Sequence, residues 1–293
     1  MKSGLGVIAV ALIFLAASCS SNHSNADTQS EGRGIRTPLA SLCRSIDYSD
    51  TASLLDEGVM TRLMIDIVKL MPYTDSFTTS RELNYFFNSI SYVPASVAIA
   101  DSLGDLYLNN PASPVRDNEL YIRFLRAMLS ADSIADFERL KCEENLRLAS
   151  LNRMGSVANN ISILDRDGVT RDLHSILAPH ILLVFYDPEC PHCSEILAEI
   201  AASEKINRLV LDGELAIVAV YAEGKRSVWE KSKADMPGNW IVGYDMSGVL
   251  DNDLYTLPAM PVLFLLDSHH RVVLKDPEFP TVLLTLQNPS VIV

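Results

Sequence analysis

The sequence predicts two domains in series: an all-α N-terminal domain over residues 45–153, then an α/β domain over 154–276 whose central mixed sheet is flanked by helices. Three observations carry this. Apolar residues recur at helical spacing from about residue 45 to 151. The period changes at Met154-Gly155. Beyond that point apolar runs of strand length alternate with helical stretches and close on a strand-turn-strand, the pattern of a three-layer α/β domain.

In the first domain Leu55, Val59, Leu63, Ile67 and Leu70 share one helical face, and Pro72 ends that helix. Further helices are expected over 81–90, 95–108, 118–129 and 133–151. The stretch "NNPASPVRDNE" (109–119), dense in Pro, Asn and Ser, is a loop between two of them. In the last helix Ser133 and Asp136 approximate a capping box. Its expected apolar face is Ile134, Phe137, Leu140, Leu148 and Leu151. Tyr85-Phe86-Phe87 reads as core, and nothing in this region groups His, Asp or Glu at metal-ligand spacing.

The second domain opens with "NNISILDRDGVTRDL", two short strands around an Asp167-Gly168 turn, which suits a hairpin. Then come a buried strand "ILLVFY", a helix over about 191–211, a strand "LAIVAVY", a polar helix near 227–233 and a short strand at 240–243. A strand "PVLFLLD", a turn at Ser268-His269-His270 and a strand "RVVLKD" complete it. Residues 277–293 form an apolar, Pro-broken tail with no assigned element, and no internal repeat is visible.

With 48% hydrophobic and 21% charged residues, this chain of 293 can bury real cores. Its formal net charge of −13 excludes nucleic acid as a partner class, because no basic surplus exists to neutralise phosphates. The acidic balance itself reads as solubility.

Chemistry concentrates in "ILLVFYDPECPHCSEILAEI", where Cys190-Pro-His-Cys193 joins a strand end to a helix start. First-turn N–H groups lack helical partners, and the macrodipole favours negative charge there. A thiolate on Cys190 can accept those bonds and act as nucleophile. Pro191 at the first helical position costs no hydrogen bond, and His192 adds a donor and a potential positive charge near the sulfur. These features favour the reduced pair, hence an oxidant. A structural zinc site needs four ligands, yet no second such pair exists and His269-His270 are adjacent. Pro188 stands where a peroxiredoxin-type loop would need a hydroxyl residue. Redox use is therefore favoured over metal, and no cofactor is expected.

The N-terminus carries a second signal. Met1-Lys2, an apolar run from Leu5 to Ala17, and small residues before Cys19 suit a signal peptide over residues 1–18. The pattern resembles the lipobox of bacterial lipoproteins, with Leu15 one place further upstream than that family prefers. The resemblance implies that Cys19 is lipidated and leads a flexible tether over 19–44; the alternative is ordinary cleavage leaving a free Cys19. Either route exports the chain to an oxidising compartment. Cys43 and Cys142 remain open as buried thiols, a stapling disulfide or a relay to the Cys190–Cys193 pair.

From about Gly155 to Asp276 the chain resembles thioredoxin-fold thiol–disulfide oxidoreductases of the membrane-tethered TlpA/ResA-like group. The resemblance is carried by "VFYDPECPHC", the strand order, and Met260-Pro261 before "VLFLLD". It implies a redox-active Cys190–Cys193 disulfide, a cis Pro261 facing it, and a Met260 backbone that pairs with an extended substrate segment. Two departures stand out. Val184 replaces the buried strand acid of thioredoxin, and Ile196 replaces the helix glutamate of ResA-like proteins, with Glu195 one place earlier. The proton acceptor for Cys193 is then Glu189, Glu195 or water. The Pro-His dipeptide resembles DsbA, an oxidant, whereas the domain plan resembles reductants. The segments "LNNPASPVRDNELYIRFL" and "LKCEENLRLASLNRMGSVANNISILDRDGV" resemble an uncharacterised helical domain found ahead of thioredoxin-like modules in bacterial lipoproteins. Together these imply a lipid-anchored oxidoreductase on the periplasmic face of a bacterial membrane, the outer in preference to the inner. Its expected partners are protein thiols or disulfides and a membrane redox partner. The alternative is a non-catalytic lipoprotein that uses the fold as an interaction module.

Overall fold

The computed structural model describes residues 37–287; the signal segment 1–18, Cys19 and the tether up to residue 36 lie outside the described residues. The helical domain comprises α1 (Pro38–Ser45), α2 (Thr51–Leu55), α3 (Glu57–Leu70), α4 (Ser76–Ile90), α5 (Pro94–Gly104), α6 (Asn118–Leu129) and α7 (Asp136–Ala149). Five of these starts are set by side-chain caps: Thr37, Asp50, Asp56, Asp75 and Asp117 each accept a first-turn N–H. Beyond α5 the chain runs through a wider turn, Asp105–Asn109, closed by the Asn110 N–H on the Asp105 carbonyl at 3.0 Å. That turn delivers the Pro-rich loop ahead of α6.

Packing corrects several sequence expectations here. The buried face of α3 is Met60, Met64, Ile67 and Val68, one step around from the Leu55–Leu63 face, and Leu55 is exposed. In α7 Phe137 and Leu140 face solvent while Cys142 and Ala149 are buried. That helix starts at Asp136 behind Ala135, which supplies no side-chain cap, so Ser133 forms no capping box. The segment expected to be tether up to residue 44 is partly α1, whose Leu39, Ala40 and Cys43 enter the helical core. At the centre of that core Phe87 stacks edge-on against Phe124 at 4.9 Å. Gly104 lets the ring approach: a Cβ there would sit 2.3 Å from Phe124.

The second domain is a seven-stranded mixed sheet in the order β2-β1-β5-β4-β3-β6-β7. The strands are β1 (Ser162–Asp165), β2 (Thr170–Asp172), β3 (His180–Phe185), β4 (Leu215–Tyr221), β5 (Ile241–Asp245), β6 (Val262–Asp267) and β7 (Val272–Lys275). Strands β3, β4 and β5 are parallel, and the other pairings are antiparallel. The hairpin expected at Asp167-Gly168 forms, with Gly168 at φ +80. The β3 residues and Tyr186 just beyond them alternate between two cores: Leu182, Val184 and Tyr186 face one, Leu183 and Phe185 the other.

The Val184 face is covered by α8 (Pro191–Ala202), α9 (Glu204–Leu211), α10 (Arg226–Ser232) and α11 (Phe279–Gln287). The helix expected over 191–211 is thus two, broken at Ser203, which leaves helical geometry and caps α9. Most of the described part of the expected tail is α11, and its Phe279, Val282 and Leu286 complete this core. The opposite face is covered by the chain around Leu173–Ile176 and Val249–Tyr255.

Candidate active site

Strand β3 ends at Phe185, and the chain turns through Tyr186-Asp187-Pro188-Glu189 into α8. The turn is fastened locally: the Asp187 carboxylate accepts the Glu189 N–H at 2.8 Å, and its carbonyl accepts the Cys190 N–H at 3.1 Å. Cys190 is thereby placed as the N-cap of α8, extended at φ −89 and ψ 116, with Pro191 as the first helical residue. Its Sγ accepts the Cys193 N–H at 3.3 Å, the helix-start donation expected for this position. Cys190 is partly exposed and Cys193 is fully buried behind it, where its Sγ lies 3.5 Å from the Asp187 N–H donor.

From the other side, β6 brings in the loop with the cis Met260-Pro261 bond. The Met260 carbonyl is 3.9 Å from the Cys190 sulfur, which donates to it. Antiparallel pairing of Phe185 with Val262 puts this loop at the same sheet end as the cysteines. Residues 70 apart in sequence therefore meet around one sulfur. His269 and His270 sit on the β6–β7 turn beside Asp267, which pairs with His180 at the opposite end of β3.

Burial pushes the Cys193 thiol up to about 12, reinforced by the neighbouring Cys190 and the Asp187 charge and opposed by the Asp187 N–H. At neutral pH it carries its proton and needs a base before it can attack. Cys43 and Cys142 are also pushed up to about 12 by burial. Both are unbridged thiols in the helical core, a cluster separate from the one that holds Cys193. The Cys142 thiol donates to the Leu125 carbonyl at 3.4 Å. The relay therefore has no support in this arrangement.

A thioredoxin-like protein from Bacteroides caccae ATCC 43185 superposes with a TM-score of 0.77 at 25% identity, covering 83% of this chain and 88% of the other. Residues 44–152 match the family model described as domain of unknown function (DUF5106). The chain carries a thioredoxin-like domain behind a DUF5106 domain. The C-terminal domain of an uncharacterized protein from Bacteroides fragilis NCTC 9343 matches 46% of the chain at 32% identity and a TM-score of 0.45, with 98% of its own length covered. A domain of a possible thiol-disulfide isomerase from Cytophaga hutchinsonii ATCC 33406 matches 47% at 24% identity and a TM-score of 0.42, with 93% of its own length covered. No curated protein matches the chain.

Within the thioredoxin-like domain, the side chains around the cysteine pair depart from simple expectation. His192 lines the cleft beside the pair, and its Nδ1 lies 3.4 Å from the Glu195 carboxylate, the two side chains being 65% and 76% exposed. Val184 is buried beneath the site and Ile196 is half-buried beside it, so no acid stands at either position. The acid that does stand close is Asp187, whose N–H bonds the buried sulfur. Its signal in the sequence is faint: one acid ahead of Pro188, in a stretch where Glu189 is equally eligible.

A cleft of about 760 Å³ opens beside the pair. His192, Ile196, Met260 and Pro261 border it on the thioredoxin-like side, and the loop from Pro111 to Glu119 borders it from the DUF5106 domain. The composition of that stretch marks it as a loop, and nothing in the sequence marks its place next to the cysteine pair.

Proposed function

We propose that the protein is a membrane-tethered periplasmic thiol–disulfide oxidoreductase that exchanges disulfides with protein substrates through Cys190 and Cys193. The observation that carries this reading is the division of labour within the pair: a solvent-reached Cys190 at the start of α8 and a protonated Cys193 buried behind it. Facing Cys190, the Met260 backbone is assigned to pair with an extended substrate segment, which would replace the Cys190 thiol at the Met260 carbonyl. The N-terminal pattern up to Cys19 supports export and lipid anchoring at the periplasmic face of a membrane, the outer in preference to the inner.

The Cys190 thiolate attacks one sulfur of a substrate disulfide. A Cys190–substrate disulfide forms, and the other substrate sulfur leaves as a thiolate that takes a proton from water. Cys193 then loses its proton and attacks the Cys190 sulfur. The Cys190–Cys193 bond forms, the mixed disulfide breaks, and the second substrate thiolate departs. The substrate gains two electrons and the pair loses two; the same steps in reverse oxidise a dithiol. Asp187 is the group assigned to take the Cys193 proton, because its backbone already touches that sulfur and its carboxylate is tied down on the same turn. A membrane redox partner resets the pair.

The test is capture in the native membrane. C193A is expected to accumulate mixed disulfides that reducing agent releases, and C190A to accumulate none and to lose exchange activity. If C193A captures nothing, or if the wild-type pair has a potential below about −300 mV, where structural bridges lie, the exchange role fails.

A further inference from the structure

The cleft beside Cys190 belongs to both domains, and its chemistry is lopsided. Its volume, about 760 Å³, falls within the roughly 300–1,000 Å³ of ligand pockets, so it admits a short segment of chain rather than a folded surface. Pro111 and Pro114 on one wall and Pro261, Pro277 and Pro280 on the other contribute no N–H donors. The cations that line it are committed elsewhere. Arg116 is bound to Asp276 at 2.5 Å, and the Lys275 ammonium donates to the Ala149 and Leu151 carbonyls at 2.9 and 2.8 Å. Glu119 is held by Arg153. Among the described residues, Asp117 on the helical wall and Glu278 on the opposite wall have no cationic partner. The cleft therefore offers carboxylates and carbonyls to a ligand that must bring its own donors.

We infer that this cleft binds a cysteine-bearing segment of another polypeptide with basic residues beside the cysteine, and that the helical domain supplies the wall that selects it. The inference rests on the redox reading of Cys190. A basic segment supplies the N–H and ammonium donors that the proline-lined walls lack. An acidic segment would face Asp117 and Glu278, and among the described lining residues only His192, itself beside Glu195, could offset them. Because Asp117 is the N-cap of α6, the helical domain takes part in choosing a substrate that only the other domain reacts with.

The experiment uses the full-length protein and two model peptides of equal length, one with lysines and one with glutamates flanking a cysteine held as a mixed disulfide with glutathione. Hydroxyethyl disulfide, small and neutral, serves as the reference. The wild type is expected to favour the lysine peptide. D117N and E278Q should each lower the lysine-to-glutamate rate ratio about threefold, the size of an exposed single-charge effect. Asparagine caps a helix as well as aspartate, so D117N keeps α6 intact. D66N removes an exposed carboxylate of α3 outside the cleft and should leave the ratio alone. A ratio unmoved by D117N and E278Q, or moved equally by D66N, overturns the inference while exchange with hydroxyethyl disulfide keeps the redox reading. If the wild type fails to react with hydroxyethyl disulfide, the redox reading itself falls.

Discussion

The proposed mechanism gives Asp187 the role of base for Cys193, on the turn between β3 and α8. Spacing directs attention to Val184 and Ile196, where related sites carry an acid, and neither position holds one. The nearest acid is on the turn that ends β3, where the Asp187 N–H lies 3.5 Å from the Cys193 sulfur. D187N keeps an acceptor for the Glu189 N–H while removing the base. It is expected to lengthen the life of the Cys190–substrate mixed disulfide on the order of tenfold at pH 7, a modest share of what a general base contributes. The gap should close as pH rises towards the value of about 12 of the buried thiol, where hydroxide does the same work. Equal lifetimes in both proteins at pH 7 would remove Asp187 from the mechanism.

At the scale of elements, periodicity locates helices but not always their buried face. In α7 the apolar stripe of Phe137 and Leu140 points to solvent, since the helix meets α6 through Cys142 and Ala149 instead. In α11 a short apolar stretch bounded by prolines looks like a tail, yet it closes the core over the Val184 face. Two substitutions separate these cases. F279A empties a fully packed site and should cost about 3–5 kcal/mol. F137A, at a ring that is 74% exposed, should fall within about 0.5 kcal/mol of the wild type. Urea denaturation reads both, and comparable losses would show that the α7 stripe is covered after all.

Across the whole molecule, polar contacts tie the helical domain to the sheet edge. Lys275 at the end of β7 caps the carbonyls at the end of α7, Arg116 binds Asp276, and Arg147 reaches Asp253 at 2.8 Å. Burial lowers the Lys275 ammonium to about 8, Arg116 pushes the same way, and Asp276 and Glu119 oppose them. Its folded value lies below the ordinary lysine value of about 10.4, so the unfolded chain holds more protons between those limits. Stability must then rise with pH from about 8 to 10, and the deficit is complete below 8. K275M removes this titration. The stability of the wild type relative to K275M should climb by on the order of 2–3 kcal/mol across that window. A flat difference curve would show that the two carbonyl bonds fully compensate the burial.

The sequence by itself determined the two-domain plan, nearly every strand, the cysteine pair at a helix start and the proline opposite it. The first three rest on local periodicity and on cap and turn chemistry, and the proline on the resemblance to thioredoxin-fold proteins. Only the tertiary structure decided which helix faces are buried, that residues 279–287 belong to the core, that His192 faces Glu195, and that Asp187 and the Pro111–Glu119 loop stand at the site. Burial and proximity of this kind arise from packing between segments tens to more than a hundred residues apart, and no local pattern encodes that packing.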